Sequence, residues 1–274
     1  MKISSIGWTD FSGGALNFVM RGKDDCECSE GCANCYVKAL LGERFNILPE
    51  HTMFNADNLA RLATMRFPEY SPKRGAPYKP MAFVSDTGDF FHESIPDGDL
   101  WDALDVLAGR TDVIWQILTK RAERMNGVVD EWLCRKGLAC LPDHIWLGVT
   151  AENQRRADER IPALLATPAA VRFVSVEPCL EWIDLNQACW GYGLLRPSVE
   201  IQVRQIKYPI AALDQIIVGG ESGPHRRPFD VAWALGLYAQ CKDAGVPMFY
   251  KQGSALRPGQ DDELPGIGKV KESR

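Results

Sequence analysis

The sequence predicts an α/β fold, a partial barrel of repeated strand–helix units, on three observations. Short continuous runs of β-branched and aromatic residues recur along the chain. Amphipathic helical patterns lie between them. The two alternate about every 30 residues, the rhythm of βα units on a parallel sheet.

The strand candidates, in order, are residues 16–20, 81–86, 113–120, 145–152, 171–178, 215–222 and 247–253. Apolar runs without strict alternation suit strands buried on both faces. Between them, "DLWDALDVLAG" places apolar residues at 100, 101, 104 and 107 and stops at Gly109. "ENQRRADERIPALLAT" and "DVAWALGLYAQCKDAG" carry the same period, the latter closed by Gly245. Six or seven units are too few for a complete eight-stranded barrel and predict a partial barrel.

Residues 68–80, rich in proline and glycine, read as a surface connection. Residues 186–212 form an insertion, either lid or surface excursion, with a hairpin candidate at "VEIQVRQI". The expected organisation is a single domain over 1–253, followed by a flexible tail over 254–274.

Apolar residues make up 46% of the 274-residue chain and charged residues 24%, proportions that support a sizeable core. The net charge of −5 excludes a protein that coats nucleic acid through its overall field and leaves room for a local basic patch. No apolar run is long enough to span a membrane. The start "MKISSIGWTD" lacks the apolar core of a signal peptide, so a cytoplasmic location is expected.

In βα folds the loops at the carboxyl ends of the strands converge on the binding site. Here those ends carry Ser85, Asp86, Asp89 and His92; Thr119 and Lys120; Glu152; Ser175 and Glu177; Gly219, Gly220 and Glu221; then Lys251 and Gln252. Taken singly, each has a plain reading: a carboxylate caps a helix, a glycine pair makes a tight turn, a lysine sits in solvent. Recurrence at successive strand ends points instead to a mouth built for a charged, polar ligand.

Four of the nine cysteines lie between residues 26 and 35. In a reducing compartment such crowding indicates metal or redox chemistry rather than disulfides. Cys134, Cys140, Cys179, Cys189 and Cys241 are scattered and read as small buried hydrophobes. Cys28, Cys32 and Cys35 are spaced C-x3-C-x2-C. Three readings compete: a zinc site, a thioredoxin-like pair at Cys32 and Cys35, and a [4Fe–4S] cluster on three thiolates with one iron left open. Structural zinc usually joins knuckles distant in sequence, and a redox pair leaves Cys28 unexplained. Cys26 offers an alternative first ligand, C-x5-C-x2-C; spacing favours Cys28.

The motif resembles that of the radical S-adenosylmethionine (SAM) superfamily. The chain is similar nearly end to end to a phage- and mobile-element-borne branch catalogued as phage proteins of unknown function. The likeness is carried by "GWTD" (7–10), "CSEGCANCY" (28–36), "SDTGDFFHE" (85–93), "LTKRAERM" (118–125), "LGVTAEN" (147–153), "RFVSVEP" (172–178), "VGGESG" (218–223) and "KQG" (251–253). It implies a (βα)6-type partial barrel with room for one extra closing strand, and a [4Fe–4S] cluster on Cys28, Cys32 and Cys35, with SAM on the open iron as the source of a 5′-deoxyadenosyl radical. It also implies that Ser85, Asp86 and Asp89 contact the SAM amino group. Thr119, Lys120, Glu152, Ser175 and Glu177 become candidates for its carboxylate, its ribose or the substrate. Gly219 and Gly220 admit backbone near the adenine. Lys120, Glu152, Glu177 and Glu221 are the candidates for a catalytic role.

The same resemblance implies a substrate in hypermodified phage DNA, where altered bases evade host restriction. A suitable reaction is isomerisation of a glycine-substituted thymidine from nitrogen to carbon attachment, since a glycyl α-radical is well stabilised. Arg226, Arg227 and Lys251 are then expected to touch phosphate, and the base would leave the stack to reach the site. The implied electron donor is a flavodoxin or ferredoxin, and the implied location is the host cytoplasm. Repair of a DNA lesion, modification of a peptide or protein, and a zinc-binding nucleic-acid module are the competing functions.

Overall fold

The computed structural model describes residues 2–23, 28–35, 37, 46, 48–189, 200–203, 206–209 and 213–272. Its elements are β1 (Val19–Met20), β2 (Met53–Phe54), α1 (Ala56–Thr64), β3 (Met81–Val84), α2 (Asp97–Gly109), β4 (Ile114–Thr119), α3 (Ala122–Lys136), β5 (Ile145–Thr150) and α4 (Gln154–Ala166). They continue with β6 (Val171–Val176), α5 (Leu185–Ala188), β7 (Glu200–Val203), β8 (Ile206–Pro209), β9 (Gln215–Gly219), α6 (Val231–Ala244) and β10 (Met248–Gln252). The fold is α/β: a six-stranded parallel sheet in the order β10-β9-β6-β5-β4-β3, compatible with a partial βα barrel. Every residue of β3, β5 and β9 is buried, which is why these strands read as apolar runs without strict alternation, with Thr150 and Gln215 at the ends of β5 and β9. Among the described residues no helix is long and apolar enough to cross a membrane.

The chain divides into two compact units, residues 1–148 with 168–170, and 149–167 with 171–274, the division falling inside β5. In the first unit the helix boundaries follow local chemistry. Asn55 caps α1 by accepting from the Asn58 amide at 2.9 Å, and Gly137, at φ 65°, closes α3 in the left-handed region. Arg110 donates to the carbonyls of Leu62 at 2.8 Å and Met65 at 2.7 Å, satisfying the carboxyl end of α1.

The expected first strand, 16–20, differs from the structure. A short 3-10 turn over Gly14–Leu16 interrupts it, leaving Val19–Met20 paired antiparallel with Met53–Phe54 outside the six-stranded sheet. The chain instead meets β3 earlier. Phe11 forms a parallel bridge with Ala82, and the Ser85 amide donates to the Leu16 carbonyl at 2.8 Å. Residues 11–16 thus line the free side of β3 before the cysteine loop begins. Phe18 packs edge-on against Phe54 and Phe90.

"GWTD" also has a structural task. Asp10, 2% exposed, accepts from Ser71 Oγ at 2.8 Å, the Lys73 amide at 3.2 Å and the Met81 amide at 2.9 Å. One carboxylate therefore ties the amino-terminal segment to the 68–80 connection and to the start of β3.

In the second unit β6, β9 and β10 pair in parallel, Asn153 caps α4 through the Arg156 amide, and Asp230 caps α6 through the Ala232 amide. The hairpin expected within 186–212 is present as β7 and β8, paired antiparallel; residues 190–199, 204–205 and 210–212 of that insertion lie outside the described residues. Residues 254–272, expected as a flexible tail, pack along β10. The Tyr250 amide donates to Val270 O at 2.8 Å, and Leu264 and Val270 are buried. Of the scattered cysteines, Cys179, Cys189 and Cys241 are buried as expected. Cys134 and Cys140 are exposed, the former near the end of α3 and the latter in the loop that follows.

Asp10→Ala leaves two backbone amides and a hydroxyl without their acceptor, at about 1–3 kcal/mol for each group that stays buried. Urea unfolding is expected to show a loss on the order of 3 kcal/mol, with Asp10→Asn intermediate.

Candidate functional site

Each unit carries its own polar cluster. In the first, Ser29 adopts an extended backbone and begins a single 3-10 turn, Glu30–Cys32, and the Cys35 amide donates to the Cys32 carbonyl at 3.1 Å. This tight winding, with Gly31 and Ala33 adding no bulk, sets the three cysteines on one short loop. Cys28 Sγ lies 3.6 Å from Cys32 Sγ. Lys120 Nζ lies 3.4 Å from Cys32 Sγ and donates to Ser29 Oγ at 2.8 Å. Cys32 is buried and Cys28 and Cys35 are partly exposed; Cys26 lies outside the described residues.

The two neighbouring sulfurs are driven in opposite directions. The Cys28 contact, the Lys120 ammonium and Ser29 draw the Cys32 thiol well below its ordinary range, against the opposing effect of burial. The same contact, together with its own burial, pushes the Cys28 thiol up. Among the described residues no three His, Cys, Asp or Glu side chains converge on a single-ion site. The donor set nevertheless fits an iron–sulfur cluster in kind: sulfur donors on one loop, with a cation against one of them. Binding would replace the Cys28–Cys32 contact.

The placement of Lys120 depends on Asp89. Its Oδ1 accepts from Thr119 Oγ1 at 2.6 Å and from the Phe91 amide at 3.0 Å. Its Oδ2 accepts from the Lys120 amide at 2.9 Å and from Arg121 Nη1 at 3.0 Å. Asp89 and Thr119, both candidates for contact with SAM, are thus occupied with each other at the end of β4. Gly88 has no room for a side chain, because a Cβ there would stand 2.5 Å from the Val19 carbonyl oxygen. Ser85, at φ 56°, is buried, and its Oγ has no hydrogen-bond partner among the described residues. Burial pushes the Asp86 carboxyl up, while hydrogen bonds with Asn17 and Ser12 pull it partly back.

In the second unit Glu177 faces Lys251 at 3.0 Å and lies 3.4 Å from Ser175 Oγ. A Cβ on Gly219 would stand 2.6 Å from Glu177 Oε1, so the glycine leaves space for that carboxylate. Gly220 donates its amide to Gln252 O at 2.9 Å, and a side chain there would meet the backbone of residues 253 and 254. Glu152 is fully buried and bonds Arg160 at 2.8 Å, while Arg160 also donates to the Thr150 carbonyl. Glu221 accepts from the amide and guanidinium of Arg227, and Arg226 donates to the Gly223 carbonyl. Of the three expected phosphate-binding cations, Arg227 and Lys251 therefore face carboxylates.

Sequence reasoning missed the supporting roles of Ser29 and Arg121, which lie inside the quoted motifs, and of Arg160, which lies outside them. The only available signal was their position beside Cys28, Lys120 and, on the helix face, Glu152.

Fold and side chains together define an α/β protein with a parallel sheet, a cysteine loop braced by lysine, and carboxylate–cation pairs at strand ends. Residues 4–264 match the family DUF5131, described as proteins of unknown function, and the chain belongs to that family. No curated protein matches the chain, and no solved structure does.

The Asp86 shift gives a signed prediction. A carboxyl raised by folding costs stability once ionised, and that cost disappears as pH falls through the window between its raised value and the ordinary 3.8. Asp86→Asn is expected to exceed the wild type in unfolding free energy at pH 7, and the gap to close towards pH 4 in denaturant titrations.

Proposed function

We propose that the chain is a radical SAM enzyme in which Cys28, Cys32 and Cys35 hold a [4Fe–4S] cluster. The observation that carries this reading is the braced loop. Three cysteines sit around one helical turn, with the Lys120 ammonium 3.4 Å from Cys32 Sγ and residues 11–16 alongside β3 leading into it. When bound, the cluster and SAM supply a 5′-deoxyadenosyl radical that takes hydrogen from the substrate.

The protein's own residues then bind and orient. Ser85, with a buried hydroxyl open to a ligand, and Asp86 beside it form the natural contact for the polar end of SAM. Asp89 and Thr119 fix the turn that carries Lys120. In the second unit, Glu177 with Lys251 and Glu221 with Arg227 are the charged groups available to a substrate; Glu152 acts through Arg160 as a brace for the end of β5. Gly219 leaves room for the Glu177 carboxylate, and Gly220 lets the backbone of residues 253 and 254 pass close to the end of β9.

The proposed substrate is a glycine-substituted thymidine in phage DNA, isomerised from nitrogen to carbon attachment during hypermodification that evades host restriction. A flavodoxin or ferredoxin is the proposed electron donor.

Anaerobic reconstitution tests the reading. The wild type is expected to take up iron and sulfide and, once reduced with SAM, to release 5′-deoxyadenosine. Cys28→Ala should abolish that release and Cys26→Ala should retain it. A colourless protein holding stoichiometric zinc overturns the proposal. Mass spectrometry of nucleosides from treated phage DNA then checks the substrate.

A further inference from the structure

We infer that Lys120 is a positioning residue that raises the reduction potential of the cluster through its ammonium group on Cys32, rather than a ligand of SAM or a proton donor. The inference rests on the proposed iron–sulfur reading of the cysteine loop and goes beyond it by giving one side chain a measurable electronic task.

Four features of the structure converge on it. Lys120 Nζ is directed at the loop: it donates to Ser29 Oγ at 2.8 Å and lies 3.4 Å from Cys32 Sγ. Ser29 Oγ is itself 3.7 Å from that sulfur, so hydroxyl, ammonium and sulfur form one contact group. The lysine cannot swing from its root, because Asp89 holds the Lys120 amide at 2.9 Å and both flanking residues through Thr119 Oγ1 and Arg121 Nη1. Lys120 is half-buried, which strengthens its field at the sulfur relative to a solvated lysine.

The consequence is electrostatic. Hydrogen bonds to the sulfurs and nearby positive charge favour the more negative, reduced state of an iron–sulfur centre. One electron enters from dithionite or a low-potential protein donor, and no bond to the protein forms or breaks. A cation held against one cysteine sulfur makes that electron easier to accept.

The test is an EPR-monitored potentiometric titration of reconstituted wild type, Lys120→Met, Lys120→Arg and Ser29→Ala, with iron and sulfide counted and folding followed by circular dichroism. Lys120→Met is expected to shift the midpoint to a more negative value at unchanged iron content, and Lys120→Arg to stay near the wild type. Ser29→Ala, which loosens the lysine without removing its charge, should shift in the same direction by less. A wild-type midpoint in iron-replete Lys120→Met overturns the inference, as does an Arg variant displaced as far as the Met variant. Should Lys120→Met take up no cluster, Ser29→Ala decides, and an unchanged midpoint there overturns it. A wild type that takes up zinc and no iron overturns the cysteine-loop reading itself, and is seen before any substitution is compared.

Discussion

The Asp89 carboxylate is the interaction on which the candidate site of the first unit depends. It accepts from a hydroxyl, two backbone amides and a guanidinium, which exhausts most of the lone-pair capacity of an ionised carboxyl. Hydrogen bonds to a charged group contribute about 1.5–3 kcal/mol each, enough together to fix the turn after β4 in one conformation. That turn decides where Lys120 points, and Lys120 joins Cys28 in drawing the Cys32 thiol below its ordinary range. The chain of causes runs from the loop after β3, through the end of β4, to a sulfur on a distant segment. Gly88 belongs to the same chain, since any side chain there would collide with Val19 and displace Asp89 beside it.

The carboxylates of the second unit show how environment separates brace from candidate. Glu152 and Arg160 are both almost wholly buried. Removing one partner of such a pair costs about 3–5 kcal/mol, because the other is left charged and dry. That is a structural commitment with little left over for a ligand. Glu177 and Lys251 are partly exposed, so their mutual attraction is screened and weaker. A charged ligand can compete for them at modest cost. Glu221 lies between these cases, with a buried carboxylate and an Arg227 side chain one-third exposed.

Much of the fold was legible because burial leaves a simple signature. The β3, β5 and β9 strands are buried along their whole length and apolar but for Thr150 and Gln215, and helices α4 and α6 carry the apolar helical period, α6 closed by Gly245. The segment leading into the cysteine loop was harder to read. Its contacts with β3 are spread over Phe11 and Leu16 and interrupted by Gly13 and Gly14, so it never accumulates a strand-length pattern. At the site, cysteine spacing is a local property and could be read directly. The role of Asp89 could not, because its partners lie about 30 positions away and only tertiary structure selects them over a ligand.

The cysteines make the closing argument, since one residue type appears here in opposed environments. Cys179, Cys189 and Cys241 sit buried, and burial above all drives each to about 12. They are inert packing atoms. Cys32 is also hidden from solvent, yet the contacts from Cys28, Lys120 and Ser29 reverse the sign and draw it down. Desolvation acts on all four; only Cys32 has a donor and a cation in reach to overcome it. Burial alone therefore does not decide how a cysteine behaves here. The Asp89 network, by keeping Lys120 beside Cys32, sets that sulfur apart from the three that only pack.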